Sequence, residues 1–159
     1  MKKRKGFTLV ETVVTLSILG IAFALTASVV AALMNVQNKA SDQYVASKQL
    51  NTANNMVNDY ISFVSVQSES TPFKFKSVSS KSVKYTISTY TFELKYEDNN
   101  LSISSNYDGS NEYLKKSAST NLNALDYVKF EYVSSVSLLI AEMKANDSVL
   151  RYSYTLRVK

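Results

Sequence analysis

From Phe7 to Met34 the chain is apolar almost without interruption, and Glu11 is its one charged position. The 23 residues after Glu11 carry no charge. As a helix they would span roughly 35 Å, enough to cross a ~30 Å hydrocarbon core. Beyond them the pattern narrows to a stripe: Val36, Ala40, Tyr44, Ser47, Leu50, Ala53, Val57, Tyr60, Ile61 and Val64 recur at steps of mostly three or four. No Pro or Gly interrupts residues 35–66, and the polar run from Gln67 to Pro72 ends the pattern. The spacing predicts one helix from about Thr8 to Val66, hydrophobic in its first half and amphipathic in its second.

After Pro72 the period falls to two. Phe73 and Phe75 alternate with Lys74 and Lys76. Val83, Tyr85 and Ile87 share one strand face, and Tyr90, Phe92, Leu94 and Tyr96 continue it one residue out of phase. That slip predicts a bulge or break near Ser88-Thr89. Glu97–Asn100 reads as a turn, Leu101–Ile103 as the returning strand and Asn106–Asn111 as a loop. Three further strands are expected at Leu125–Val133, Ser137–Lys144 and Val149–Val158, with Ala145–Ser148 turning into the last. The expected fold class is α+β, a long N-terminal helix packed on an antiparallel sheet.

Charge adds a direction. Lys2, Lys3, Arg4 and Lys5 precede the apolar stretch, and no Lys or Arg follows until Lys39. The positive-inside rule keeps the N-terminus cytoplasmic and exports the rest. The formal net charge of +5 is largely this cluster; without it fourteen basic residues face thirteen acidic ones. The pI therefore reports topology rather than an anionic partner. A secretory signal has an apolar region of only about 7–15 residues before its cleavage site, and this stretch is far longer. A plain anchor accounts for the length but not for Glu11, since an intramembrane carboxylate is costly and points to a function.

The local sequence Lys5-Gly6-Phe7-Thr8-Leu9-Val10-Glu11 resembles the processing site of type IV pilin precursors. There, a basic leader ends in Gly and Phe-Thr-Leu-x-Glu opens the apolar helix. The resemblance implies that a prepilin peptidase cuts after Gly6 and that Phe7 becomes the N-methylated N-terminus. It also implies that Glu11 pairs with the N-terminal amine of a neighbouring subunit during assembly. The chain then divides into a cleaved leader at 1–6, a transmembrane and filament-core helix at 7–34, and an extracytoplasmic domain at 35–159. The implied partners are other pilin subunits, the peptidase, and an assembly platform in the cytoplasmic membrane. The implied function is that of a structural subunit, pilin or pseudopilin, in an extracellular filament. Many major pilins place a helix-kinking Pro near the position of Ser28. Its absence here predicts a straighter helix, or one that melts elsewhere, near Gly20, and favours a minor subunit.

Candidate chemistry is sparse. With neither Cys nor His, disulfides, thiol catalysis, His-based acid–base chemistry and ordinary zinc sites are excluded. No nucleophile with a base and no phosphate-binding loop occurs, so no enzymatic activity and no cofactor are expected. Asp108–Glu112 offers oxygen ligands without the spacing of a calcium loop, and no metal is expected. Lys74, Lys76, Lys81 and Lys84 interleave with Phe73, Phe75 and Tyr85. This is a pattern that can contact DNA or a surface at a filament tip, but the near-neutral charge without the leader favours the guarded edge of a sheet with its Phe residues buried.

Overall fold

The computed structural model describes residues 8–67, 75–111 and 114–156. The chain falls into two compact units, Met1–Asp42 and Gln43–Lys159. One helix, α1 (Leu9–Gln67), contributes to both. It passes unbroken through Gly20 and Ser28, so the melting considered for Gly20 does not occur. All described residues of the first unit are exposed. In the second unit α1 buries Ala46, Leu50, Ala53, Val57, Tyr60, Ile61 and Val64, one face at helical spacing. The expected stripe is thus shortened. Val36, Ala40, Tyr44 and Ser47 are exposed, and Ala46 takes the inward position.

The rest of the second unit is β-structure in two antiparallel sheets rather than one. The first has the order β1 (Ser77–Val78), β2 (Ser82–Ile87), β3 (Tyr90–Glu97), β4 (Asn100–Ser105), β5 (Ala118–Asn121). The second is a meander of β6 (Tyr127–Val133), β7 (Leu138–Ala145) and β8 (Ser148–Thr155). Val83, Tyr85, Phe92, Leu94 and Leu101 of the first sheet join Val128, Phe130, Leu139, Ala141 and Met143 of the second in one core with the buried face of α1. The two sheets touch where the Phe130 N–H donates to the Ser80 carbonyl at 3.1 Å. Every buried core residue lies between Ala46 and Leu156, so the second unit carries its own core.

The phase slip at Ser88-Thr89 is not a bulge but a reversal. Ile87 pairs with Tyr90 across a two-residue turn, and Ser88 sits at φ 54°. Residues flanking such a turn are three apart yet lie on one face, which shifts the alternation by one. The turn at Asp98-Asn99 has both residues at positive φ, 49° and 58°. That is the signature of a tight turn suited to Asp and Asn. Lys76 lies outside a strand, and the Phe73-Lys74 part of the expected alternation lies outside the described residues. Strand β5 escaped prediction because Ala-Ser-Thr-Asn has no apolar alternation and is mostly exposed.

Tyr60 locks α1 to the first sheet. Its ring is buried, and its hydroxyl donates between the carbonyls of Val83 (3.1 Å) and Phe92 (3.0 Å). Burial, with the Glu93 charge adding to it, holds this hydroxyl far above the ordinary tyrosine range. Burial does the same to Tyr154, whose hydroxyl donates to Asn54 Oδ1. A raised folded-state value means the stability is complete below the unfolded tyrosine value, about pH 10, and declines above it as only the unfolded chain loses the proton. Melts of the second unit are therefore expected to be flat up to about pH 10. Above that, stability should fall by up to about 1.4 kcal/mol per pH unit for each tyrosine held neutral.

Candidate functional site

The start of α1 is built by Thr8. Its carbonyl accepts the Thr12 N–H at 3.1 Å, and its Oγ1 accepts the Glu11 N–H at 3.3 Å. Thr8 is thus the N-cap and Glu11 the third helical residue, in the Thr-x-x-Glu pattern that favours a helix start. The position also sets a carboxylate at the positive end of the helix dipole. That capping role was legible in the spacing from Thr8 to Glu11, and reading Glu11 only as a membrane charge missed it.

From Glu11 onward the helix is apolar on all sides, and it is long and apolar enough to cross a membrane. Leu9, Val10, Leu16, Ile18, Ile21, Phe23 and Leu25 all project outward. The hydroxyls of this apolar half, Thr12 included, return to the helix backbone. Thr15 donates to the Glu11 carbonyl (2.7 Å), Ser17 to Val13 (2.9 Å), Thr26 to Ala22 (3.1 Å) and Phe23 (2.9 Å), and Ser28 to Leu25 (2.8 Å). Such back-bonding satisfies polar groups where lipid offers no partner. The Glu11 carboxylate is the exception. It is exposed, and no hydrogen bond or ion pair holds it among the described residues. Gly6 and Phe7, the expected processing positions, lie outside the described residues.

The four lysines do not form a uniform patch. Lys84 on β2 places Nζ 3.3 Å from the Glu93 carboxylate on β3. Lys76 and Lys81 are exposed. Lys76 gives its N–H to the Lys84 carbonyl (2.9 Å), and Lys81 gives its carbonyl to the Tyr96 N–H (2.8 Å). Lys74 lies outside the described residues. The loop considered for calcium is organised by an aromatic side chain instead. Tyr107 stacks edge-on against Tyr90 at 4.7 Å, accepts the Asn111 N–H at 3.2 Å, and lies so close over Gly109 that a Cβ there would collide with its ring. Glu112 lies outside the described residues, and no group of three acidic side chains suited to a metal occurs among the rest.

Comparison with protein families matches residues 1–27 to the prokaryotic N-terminal methylation motif, the type IV prepilin signature. That match supports a type IV pilin-like filament subunit and fits membrane anchoring through the apolar helix. Comparison with curated proteins and with solved structures returns no match.

Proposed function

We propose that the chain is a precursor cut after Gly6 by a prepilin peptidase and methylated at Phe7, and that it polymerises through α1 as a structural filament subunit. Before assembly, residues 7–34 cross the cytoplasmic membrane with the N-terminus inside, and residues 35–159 lie outside. The observation that carries this reading is the state of Glu11. In the apolar half of α1, where the hydroxyls bond back to the helix, it is a lone carboxylate among apolar side chains without a partner among the described residues. A carboxylate in apolar surroundings calls for a cation. Cleavage after Gly6 would create one on each neighbouring subunit, the new amine at Phe7. No catalytic step is involved. We read the chain as a minor subunit, because the apolar half of α1 has no Pro.

Intact-mass measurement of the chain extracted from membranes tests the processing. In cells with a prepilin peptidase, the mass is expected to drop by residues 1–6 and rise by one methyl group. The full precursor mass should persist where the peptidase is deleted. Finding the precursor mass in both strains would refute the reading. The alternative, a filament-tip module gripping nucleic acid through Lys74, Lys76, Lys81 and Lys84, is the weaker one. The Lys84 charge is already engaged by Glu93, and without the N-terminal basic cluster the chain is nearly neutral.

A further inference from the structure

The two sheets of the second unit leave a seam between them. β6 meets the first sheet through one backbone bond, from the Phe130 N–H to the Ser80 carbonyl. Inward and outward groups alternate along an antiparallel strand. The N–H and C=O of Val128, two residues back, therefore point the same way, away from β7. Neither has a partner among the described residues. Ser82 on β2 cannot serve, because its carbonyl accepts the Ser79 N–H (2.8 Å) and its N–H donates to Ser79 Oγ (3.0 Å). Val128 is almost wholly buried, and a buried peptide group without a hydrogen bond is rare and costly.

Val128 lines a cavity of about 310 Å³ at this seam, at the lower end of the about 300–1,000 Å³ typical of small-molecule sites. The Asp98-Asn99 turn, both residues at positive φ, forms another part of its wall. Tyr96 lines it too, with only 7% of its surface exposed. The Tyr96 hydroxyl lies 3.4 Å from Asn99 Oδ1 and 3.4 Å from the Leu125 carbonyl. Both are long for hydroxyl bonds, and a hydroxyl has one proton to give. Its oxygen keeps the capacity to accept. Charges sit at the rim, where Lys81, Glu97, Asp98, Asp126 and Lys129 are all exposed. Most are already engaged: Glu97 pairs with Lys95, Asp126 with Lys144, and Lys129 lies over the Tyr127 ring at 4.3 Å.

We propose that this cavity binds one sugar unit of a neutral glycan. Its buried polar groups are a peptide N–H, a peptide C=O and a phenol, none of them charged. What reaches them must be polar and uncharged, because an ammonium or a carboxylate would lose its hydration there without meeting a counter-charge. A hydroxyl both donates and accepts, so it answers the donor and the acceptor of Val128 alike. At the rim, Asp98 and Lys81 are in no ion pair among the described residues. They can take further hydroxyls in charge-assisted bonds, one as acceptor and the other as donor. Three carboxylates against two ammonium groups in the lining work against phosphate and sulfate esters. A ring with several hydroxyls and no charge is the ligand class that meets all of these terms. The site lies wholly within the second unit, and it does not depend on cleavage after Gly6.

The Val128 amide reports occupancy directly. Full-length chain with isotope-labelled valine, in micelles of a detergent without a sugar headgroup, is titrated with the methyl glycosides of glucose, galactose, mannose and N-acetylglucosamine. At millimolar concentration at least one is expected to shift the Val128 amide resonance in a saturable way. Asp98→Gly suits the positive φ of the turn while removing the carboxylate, and it should weaken binding about tenfold, the loss of a charge-assisted bond. Tyr96→Phe keeps the buried ring and should weaken binding about fivefold. Asp59→Asn, on the exposed face of α1, should leave it unchanged. Unshifted valine resonances elsewhere show that each variant keeps the fold. Absence of a saturable shift with all four glycosides overturns the proposal. So does a shift that survives both Asp98→Gly and Tyr96→Phe, or a stronger response to a hexose phosphate or a free amino acid than to the neutral glycosides.

Discussion

Glu11→Ala is expected to leave the chain in the membrane at normal abundance and to remove it from filaments. Breaking a desolvated ion pair by deleting one partner costs about 3–5 kcal/mol, because the other charge is stranded. At about 1.4 kcal/mol per tenfold, that corresponds to about two to three and a half orders of magnitude in subunit uptake. Insertion itself should be unharmed or improved, since an apolar residue replaces a carboxylate in a membrane helix. The measurement is the ratio of this chain in sheared filaments to that in the membrane fraction. An unchanged ratio would defeat the assembly role.

The capping geometry supplies a sharper control. Ala keeps the backbone N–H that Thr8 accepts, so a loss in Glu11→Ala leaves to be decided only whether the charge or the polar side chain itself is needed. Glutamine serves at the third helical position of such a cap nearly as well as glutamate, but it cannot neutralise an amine. Glu11→Gln should therefore fail as badly as Glu11→Ala if charge pairing sets the subunit register. Restored uptake in Glu11→Gln would assign the role to the size and polarity of the side chain rather than to its charge.

The elements that were legible in the sequence are those whose burial imposes a period. Helix α1 was readable over nearly its whole length, because apolar residues recur from Phe7 to Val66 without Pro and with Gly20 as the single Gly. Where its apolar face turns inward was not readable. Val36, Ala40 and Tyr44 look like core from sequence but stay exposed, and burial begins at Ala46, a choice made by the sheets that cover the helix. The hairpin at Ser88-Thr89 left its mark as a phase slip, and only the backbone shows it to be a turn. The division into two sheets had no local signature. The backbone contact that joins them links Ser80 and Phe130, fifty residues apart. At the N-terminus, Glu11 stood out because charge is rare in apolar runs. Thr8 was passed over because a lone Thr before a helix is unremarkable until its hydroxyl is seen on the Glu11 N–H.

Tyr60→Ala is expected to remove a large part of the second unit's stability. The side chain is almost wholly buried, touching sheet carbonyls from α1. Truncating a large aromatic in such a place costs about 3–5 kcal/mol, against total domain stabilities of about 5–15 kcal/mol. Tyr60→Phe keeps the ring and removes only the hydroxyl shared by the Val83 and Phe92 carbonyls. It should cost about 1–3 kcal/mol, the penalty for leaving buried polar groups less well satisfied. The two substitutions also differ in their pH response. Tyr60 is the most strongly held neutral tyrosine of the unit. Tyr60→Phe should therefore melt lower than the parent at pH 8 and lose less stability on going from pH 10 to pH 11, the remaining slope coming from Tyr154, Tyr96 and Tyr127, which are also held above the ordinary tyrosine value. Thermal melts of the second unit at those three pH values would check both effects. An alkaline slope unchanged by Tyr60→Phe would mean that the buried hydroxyl does not couple folding to pH. In cells, Tyr60→Ala should lower the amount of chain in the membrane fraction, which Glu11→Ala leaves untouched. The fold of the exported unit and the charge at the helix start would then be separable by where the chain is lost.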